Sequence, residues 1–389
     1  MIGVGAIPGV DLLTGDAAAV LAGMDAGSAQ CCVTSPPYFQ LRDYGHPDQL
    51  GMEATPRAFV AALVAVFGAV KRVLRDDGTL WVNLADSYGP NKQMQLIPHR
   101  FAIAMQEDGW ICRMDNVWAK SSAMPESCTD RCTRSHEYIF MFTKQPRYYY
   151  DAAAIAQPSV TNDPRRPHTS EGARSLDGRE TWHSGERRDG SDFSTRNRRS
   201  VWADIPPEPS GAEHYAAYPT RLPELCLLAG SSPTACGGCG SPWRRVVERV
   251  KHGPPVDYEG KWQGESGQSS GRRILANVRA ARAAGNAHDA PFSGPRTTGW
   301  APTCTCPPDD TGRCTVLDPF SGSGSTGVAA LRNGRRYIGI DLKDEYHAIA
   351  RRRLERAHYE TTYGVRHERE RVADGQLPMF VSSAGEGPG

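Results

Sequence analysis

Four consecutive residues near the amino terminus combine carbonyl acceptors, a hydroxyl and an aromatic ring. Ser35, Pro36, Pro37 and Tyr38 follow an apolar stretch, SAQCCVT, that is typical of a buried strand. The two prolines stiffen the backbone and remove two N–H groups, so that acceptors dominate the turn. Such acceptors can bind the hydrogens of an exocyclic amine on a nucleobase and free the nitrogen lone pair for attack on a methyl group. The ring of Tyr38 can stack on that base. A polyproline surface turn is the alternative.

A glycine-rich segment, DPFSGSGSTG at 318–327, lies between a strand pattern and a helix pattern. Gly322 and Gly324 allow tight turns and close approach of a ligand. Asp341 ends the next strand pattern about 20 residues further on, where an acidic side chain can bind ribose hydroxyls. No Lys-Ser or Lys-Thr pair follows the glycines, which disfavours a phosphate-binding P-loop. The segment predicts a nucleoside cofactor site, and a plain strand-to-helix turn is the alternative.

Two cysteine pairs, Cys236-x-x-Cys239 and Cys304-x-Cys306, bracket a polar stretch. Together they can close a tetrahedral four-thiolate zinc site, and zinc would then hold an insert that is too polar to fold alone. Cys314 is a rival for the fourth ligand, and unliganded loop thiols are the alternative. Eleven cysteines in a chain without a signal-peptide pattern favour thiols and metal sites over disulfides.

Other residues that could carry chemistry lack a partner at a useful spacing. Cys31 and Cys32 are interpreted as small buried strand residues. No Pro-Cys dipeptide occurs, which disfavours methylation of cytosine C5 by a cysteine nucleophile. For four further residues we expect structural roles: Cys128, Cys132, His136 and Glu137.

Alternating strand and helix patterns surround these segments. Apolar residues at spacings of three and four predict a helix at 55–78, with Thr55 as its cap and Gly78 at its end. A β-loop-α-β-α unit of the nucleotide-binding kind follows from residue 314. The remaining predicted elements are strands at 79–84, 110–118 and 136–143, a helix at 97–108, and a turn followed by a short helix at 213–229.

The composition predicts a core interrupted by polar inserts, since the hydrophobic fraction is 39% and the chain has 40 glycines and 29 prolines. The net charge of +1 is uninformative by itself, but arginines concentrate between residues 165 and 199. No apolar run is long enough to span a bilayer. We therefore expect a cytoplasmic protein without a membrane partner.

The two motifs together resemble the paired signatures of amino-group DNA methyltransferases. TSPPY precedes DPFSGSGSTG, an order that is similar to the beta-class arrangement of that family. NLADSYG at 83–89, the stretch from Trp110 through MPESCTDRCTRSHEYIFMFTK, and HYAAYPTRLPELCLLAGS also resemble the family. The resemblance covers residues 9–150 and 200–360.

The resemblance implies a Rossmann-like α/β S-adenosylmethionine-dependent methyltransferase fold in permuted motif order, with irregular inserts. It also implies S-adenosylmethionine as methyl donor and a base flipped out of double-stranded DNA. Ser35, Pro36, Pro37 and Tyr38 would hold the base and its amine. The residues that would hold the cofactor are Asp318, Pro319, Phe320, Gly322, Gly324, Thr326, Asp341, Tyr218 and Pro219. Asp16 stands where the family often has Gly-Asp, and no role is assigned to it.

Ser35 at the first position of the tetrad resembles family members that act on N4 of cytosine, whereas Asp there resembles those that act on N6 of adenine. Adenine remains the nearest alternative. More distant alternatives are methylation of RNA or of a protein amide, and a zinc-bearing DNA-binding protein that has lost catalysis. A restriction endonuclease, if it accompanies the enzyme, is expected to be a separate chain because no nuclease constellation is present.

These patterns divide the chain into six predicted segments. They are a catalytic half at 1–150, an Arg-rich target-recognition insert at 151–205, a cofactor-pocket segment at 206–230, a cysteine-bearing insert at 231–313, a cofactor-binding half at 314–360, and a polar tail at 361–389.

Overall fold

The computed structural model describes residues 6–123, 125–158, 195–206, 208, 218–248, 296–307 and 311–364. Internal contacts divide the chain into two units. The first unit comprises Met1–Ala154, Arg199–Arg244 and Pro302–Gly389, and it contains every residue predicted for a site. The second unit comprises Ile155–Arg198 and Arg245–Ala301. Most of the predicted Arg-rich insert and of the polar tail lies outside the described residues.

An eight-stranded sheet is the frame of the first unit, in the order β1-β14-β13-β2-β3-β5-β4-β8. Strands β1, β14, β13, β2 and β3 run parallel, whereas β5 is antiparallel to both β3 and β4. The described strands are β1 (Val10–Thr14), β2 (Ala29–Thr34), β3 (Leu74–Leu84), β4 (Ile111–Ala119), β5 (His136–Thr143), β6 (Gln157–Pro158), β7 (Thr195–Arg196), β8 (Val201–Trp202), β9 (Ala235–Cys236), β10 (Arg244–Glu248), β11 (Arg296–Ala301), β12 (Thr311–Gly312), β13 (Thr315–Asp318) and β14 (Arg336–Asp341).

The predicted permuted motif order is confirmed by this strand order. The strand that carries the glycine loop, β13, is late in the chain but lies inside the sheet, between β14 and β2. The remaining strands form two-stranded pairs, β6 with β7, β9 with β12, and β10 with β11.

Helices cover both faces of the sheet. Leu80 and Val82 of β3 belong to the core under the helices near the amino terminus. Alternate residues Thr79 and Trp81 face the opposite way, toward Gly230 at the end of the fourth helix. The described α-helices are α1 (Ala17–Ala22), α2 (Pro56–Val73), α3 (Ile97–Glu107), α4 (Arg221–Gly230), α5 (Ser325–Arg332) and α6 (Asp344–Tyr363), and 3-10 turns occur at Pro90–Lys92 and Ala152–Ile155. None of the described helices is both long and apolar enough to cross a bilayer.

Helix α2 begins as the sequence predicts but ends earlier. The side chain of Thr55 accepts a hydrogen bond from the amide of Ala58 at 3.2 Å, which caps the helix. The predicted end at Gly78 is wrong, because Leu74 adopts extended backbone angles and begins β3. Gly78 therefore lies in a strand, where a Cβ atom would approach the carbonyl oxygen of Gln30 to 2.9 Å.

The first strand and helix, β1 and α1, were not predicted from the sequence. β1 pairs with β14 at the edge of the sheet, from Val10 opposite Tyr337 to Thr14 opposite Asp341. Both elements are short, and their patterns are too weak to be recognised alone.

Candidate active site

The two chemical motifs meet because their strands are neighbours. β2 and β13 pair in parallel, with Cys32 opposite Leu317. Both strands therefore end at the same edge of the sheet, where open α/β folds bind ligands. At that edge the hydroxyl of Thr34 donates a 2.6 Å hydrogen bond to Oδ1 of Asp318.

A pocket of about 360 Å³ opens at this edge, within the range of small-molecule sites. Four predicted residues are buried and are not among those that line it: Asp318, Gly324, Thr326 and Pro219. The predicted residues that line it are Ser35, Pro36, Pro37, Tyr38, Tyr218, Pro319, Phe320, Gly322 and Asp341.

On one side of the pocket, the tetrad Ser35–Tyr38 is joined to the end of β3. The hydroxyl of Ser35 lies 3.3 Å from the carbonyl oxygen of Asn83 and 3.5 Å from Oη of Tyr38. The amide of Asn83 donates to Oη of Tyr38 at 2.9 Å. Burial and the carboxylate of Glu137 raise the pKa of Tyr38 well above its usual value. The phenol is therefore a neutral donor on the pocket wall.

Glu137 is a pocket residue, although the sequence favoured a structural role for it. Its Oε2 accepts hydrogen bonds from Oη of Tyr38 at 2.6 Å and from Nδ2 of Asn83 at 2.7 Å. Its Oε1 accepts a hydrogen bond from the ammonium of Lys120. The same ammonium lies 4.9 Å from the ring centre of Trp118. Lys120, Trp118 and Glu137 all line the pocket.

On the other side of the pocket, the glycine loop turns sharply into helix α5. Gly322 and Gly324 have φ angles of +49° and +75°, which favour glycine. A Cβ atom at Gly324 would also lie 3.0 Å from Cβ of Ala350 in α6. The loop therefore needs glycine both for its backbone conformation and for its packing.

The carboxylate of Asp341 is held in place from two directions. Its Oδ2 accepts from the amide of Gly322 at 2.8 Å, and its Oδ1 accepts from the amide of Lys343 at 3.1 Å. Close by, Tyr44 and Tyr346 line the pocket and meet edge to face, with ring centres 6.3 Å apart. This end of the pocket therefore combines a fixed carboxylate with aromatic rings, which suits a nucleoside.

Beneath the pocket, a buried carboxylate is surrounded by hydroxyl groups. Oη of Tyr218 lies 3.5 Å from Oδ2 of Asp318 and is hydrogen-bonded to the hydroxyl of Thr326. The amide of Phe320 donates to Oδ1 of Asp318 at 3.1 Å. Burial is the main cause that raises the pKa of Asp318 to about 6.

Sequence reasoning missed several residues of the pocket. Asp16, which received no role, lines the pocket and caps α1 by accepting from the amide of Ala19 at 2.9 Å. Asn83 begins the segment NLADSYG, which resembles the family, but the sequence assigns no role to this residue. The signal for Asn83 is its position near the end of the predicted strand at 79–84, whereas Asp16 follows β1, whose pattern is too weak to be recognised.

The four predicted zinc ligands converge. The Sγ atoms of Cys236, Cys239, Cys304 and Cys306 all lie within 4.8 Å of one another. A tetrahedral zinc site with Zn–S bonds of about 2.3 Å needs sulfur atoms about 3.8 Å apart. The donor set and its spacing therefore fit zinc. Cys314 is fully buried at the start of β13 and does not belong to the cluster.

The cysteine cluster is attached to the amino ends of the central strands. Nε2 of Gln30 donates to the carbonyl oxygen of Gly240 at 3.0 Å, while its Oε1 accepts from the amide of Thr315 at 2.6 Å. The guanidinium of Arg75 donates to the carbonyl oxygen of Cys239. Since the pocket lies at the carboxyl ends of these parallel strands, the cluster and the pocket occupy opposite edges of the sheet.

Known proteins match most of this chain. The model of the N6/N4 methyltransferase family, described as DNA methylase, matches residues 29–237 and 304–352. The type II methyltransferase M.Cfr9I of Citrobacter freundii is 32% identical over 375 residues, which are 89% of this chain and 88% of that protein. The type II methyltransferase M.SmaI of Serratia marcescens is 30% identical over 371 residues, 88% of this chain and 90% of that protein.

Among solved structures, the PvuII DNA methyltransferase, described as cytosine-N4-specific, has a similar fold. Its TM-score is 0.50 at 14% sequence identity, and the match covers 93% of this chain and 98% of that one. At this identity the likeness concerns the fold, and it agrees with the Rossmann-like α/β architecture of the first unit.

Proposed function

Because this chain belongs to the N6/N4 DNA methylase family, we propose that it transfers a methyl group from S-adenosylmethionine to the exocyclic N4 of a cytosine in duplex DNA. Family membership makes the protein a DNA methyltransferase that acts on an exocyclic amine. The single observation that most supports the proposal is that the tetrad and the glycine loop share one pocket.

The residues of the tetrad suit the activation of an amine. The hydroxyl of Ser35 and the carbonyl oxygen of Pro36 accept hydrogen bonds from the two N–H groups of the amine, which draws its nitrogen toward tetrahedral geometry. The nitrogen lone pair is then no longer delocalised into the ring and can attack. The new nitrogen–carbon bond would form as the sulfur–methyl bond breaks, a neutral thioether would leave, and the methylated nitrogen would lose one proton to solvent. The ring of Tyr38 stacks on the flipped base. Attack is direct in this proposal, since Cys31 and Cys32 are fully buried in β2 and no cysteine is among the described residues that line the pocket.

The residues at the other side of the pocket suit the cofactor. S-adenosylmethionine, when bound, supplies an electrophilic methyl group on its sulfonium. The carboxylate of Asp341 would accept hydrogen bonds from the ribose hydroxyls. The turn at Gly322 would let the backbone approach the ligand closely. Phe320 and Tyr218 contact the remainder of the cofactor. Thr326 supports Tyr218 through a hydrogen bond between their hydroxyl groups, and Pro219 is the buried residue that follows Tyr218 in the chain.

The choice of cytosine rests on Ser35. A serine provides a neutral hydroxyl at the position where the family members that act on adenine usually have a carboxylate. Adenine N6 is the nearest alternative, and the two products differ in mass and are separated as nucleosides. Residues 151–205 are proposed as the target-recognition insert, because their arginines suit contacts with phosphates.

We also propose that the cysteine cluster binds a structural zinc ion. The four thiolates complete a tetrahedral shell, so no position remains for a catalytic water. The location of the cluster supports the same role, since Gln30 and Arg75 connect it to the edge of the sheet that is remote from the pocket.

The proposed function is tested with methyl-labelled S-adenosylmethionine and unmethylated duplex DNA. The DNA is digested to nucleosides, and the labelled product is identified by mass spectrometry. We expect N4-methylcytosine. N6-methyladenine would keep the enzyme class and overturn the choice of base. Cofactor binding without any DNA label would overturn the proposed function. Label in RNA under the same conditions would identify RNA as the substrate.

A further inference from the structure

An ion pair forms part of the pocket wall beside the tetrad. Trp118 and Ala119 at the end of β4 pair with Glu137 and His136 at the start of β5, and this register brings Lys120 next to Glu137. The side chain of Glu137 is 8% exposed, whereas that of Lys120 is 35% exposed and lines the pocket. Both side chains line the pocket, and the cation is the more exposed of the two.

The carboxylate of Glu137 connects Lys120 to the catalytic groups. One of its oxygens accepts from Lys120, and the other accepts from Tyr38 at 2.6 Å and from Asn83 at 2.7 Å. An ion pair at a buried site often stabilises a fold no better than apolar residues of similar size. The pair is therefore weak evidence for a role in stability, and the contact of Glu137 with Tyr38 points to a role in the reaction.

A flipped base that offers its amine to Ser35 also presents a ring nitrogen acceptor beside that amine. This nitrogen is N3 in cytosine and N1 in adenine, and enzymes that flip a base read such edges by hydrogen bonds. A lysine ammonium has three N–H donors, and Glu137 takes one of them. Lys120 is thus a cation in the pocket wall that can donate to the ring nitrogen.

We propose that Lys120 donates a hydrogen bond to the ring nitrogen adjacent to the reacting amine, and that Glu137 is the positioning residue that orients both Lys120 and Tyr38. The inference rests on the proposed function, because it requires a flipped base in this pocket. The pairing also has an electrostatic reason. Methyl transfer places positive charge on the amine, and the carboxylate of Glu137 offsets the repulsion that Lys120 alone would exert.

The first experiment compares the wild type with Lys120→Met, Glu137→Gln, the double variant, and Lys92→Met as a matched control. Lys92 also pairs with a carboxylate, Asp130, but its side chain is 83% exposed and does not line the pocket. Methylation rates are measured against the concentration of unmethylated DNA at saturating S-adenosylmethionine, and affinity for S-adenosylmethionine is measured by calorimetry.

Loss of a hydrogen bond to a charged group lowers kcat/KM for DNA about 10- to 100-fold in Lys120→Met. Glu137→Gln lowers kcat by a similar factor, and all variants bind S-adenosylmethionine with wild-type affinity. The double variant stays as slow as Lys120→Met. A double variant that returned to the wild-type rate would mean that Lys120 only neutralises Glu137, which would overturn the inference.

The second experiment asks whether Lys120 contacts the ring nitrogen. Once the modified site is mapped, its target base is replaced in a synthetic duplex by an analogue with C–H in place of that nitrogen, 3-deazacytosine or 1-deazaadenine. The analogue slows the wild type about 10- to 100-fold but does not slow Lys120→Met further. Equal slowing of both proteins contradicts the contact.

The two proposals fail in different ways. A wild-type protein that labels no DNA overturns the proposed function and, with it, this inference. If the wild type labels DNA and the Lys120→Met variant does so equally well, this inference is overturned and the proposed function stands.

Discussion

Thr34 donates a 2.6 Å hydrogen bond to the buried carboxylate of Asp318, a residue 284 positions later in the chain. This contact joins the last residue of β2, just before the tetrad, to the last residue of β13, just before the glycine loop. The two halves of the pocket are therefore held in register by a side-chain contact as well as by strand pairing. The carboxylate is nearly inaccessible to solvent, and burial raises its pKa from 3.8 to about 6.

The buried carboxylate predicts a specific dependence of stability on pH. Between pH 4 and pH 6 the folded protein retains a proton on Asp318 that the unfolded chain has lost, so the contribution of this residue to stability falls as pH rises. The difference between a pKa of 3.8 and one of about 6 corresponds to about 3 kcal/mol of stability in full. In Asp318→Asn this contribution is absent, while the amide oxygen still accepts from Thr34 and from the amide of Phe320.

We therefore expect the stability of Asp318→Asn relative to the wild type to increase from pH 4.5 to pH 7.5 by about 2 kcal/mol, since the rest of the effect falls below pH 4.5. Urea unfolding of both proteins without cofactor, at several pH values, measures this difference. A difference that stays constant over this range would show that Asp318 titrates normally in the folded protein.

Replacing Ser35 by alanine is expected to reduce methyl transfer without loss of cofactor binding. The hydroxyl is proposed to contact the amine and not the cofactor, and loss of one such polar group at a reacting centre costs about 10²- to 10³-fold in rate. Rates with labelled S-adenosylmethionine and calorimetric affinities are the measurements. Ser28→Ala is the matched control, because that hydroxyl bonds to the carbonyl oxygen of Asp25 in a turn before β2. Equal loss in both variants would argue against a specific role for Ser35.

Asp341→Asn is expected to weaken binding of S-adenosylmethionine about 10- to 100-fold, the range for loss of a charged acceptor. The asparagine amide also cannot accept from both Gly322 and Lys343, so the glycine loop loses a support. Calorimetry measures the affinity. Asp11→Asn, which changes an exposed carboxylate on β1, should bind as the wild type does. Unchanged affinity in Asp341→Asn would exclude the ribose contact.

The cysteine cluster predicts about one zinc ion per chain in freshly purified protein. Cys239→Ser and Cys304→Ser should lose the metal and unfold at a lower temperature, since zinc binding adds directly to folding free energy. Elemental analysis and thermal unfolding measure both effects. Cys132→Ser is the control, since Cys132 is an exposed cysteine outside the cluster. Absence of zinc from the wild type, or its loss from the control, would contradict the site.

Gly324→Ala is expected to destabilise the protein by about 1–2 kcal/mol, because the left-handed conformation disfavours a side chain. The new methyl group would also lie 3.0 Å from Cβ of Ala350. Gly68→Ala provides the opposite expectation, since Gly68 lies in α2 with open space around it and alanine favours helix by about 1 kcal/mol. Urea unfolding measures both variants, and equal changes would contradict the argument from backbone conformation.

The sequence by itself determined the local units of this protein. The motif from Asp318 through the glycines to Asp341 could be recognised because strand, turn and helix follow one another within a few residues and each depends on local residue types. The family resemblance was identified from the same short motifs, and the two cysteine pairs from ligand type and spacing. The helix α2 was located from its cap and apolar period, although its end was misplaced by five residues because pairing of Leu74 with Ala29 extends β3.

Only the tertiary structure decided which distant residues share the pocket. Glu137 contacts both Tyr38 and Lys120 because β5 pairs with β3 on one side and with β4 on the other, and no local pattern encodes that arrangement. The position of the cysteine cluster at the amino ends of the strands could not be predicted from the sequence either. It depends on contacts of Gln30 and Arg75 with a segment more than 160 residues away. Strand order arises from long-range pairing and burial, and the chemistry of the pocket wall follows from that order.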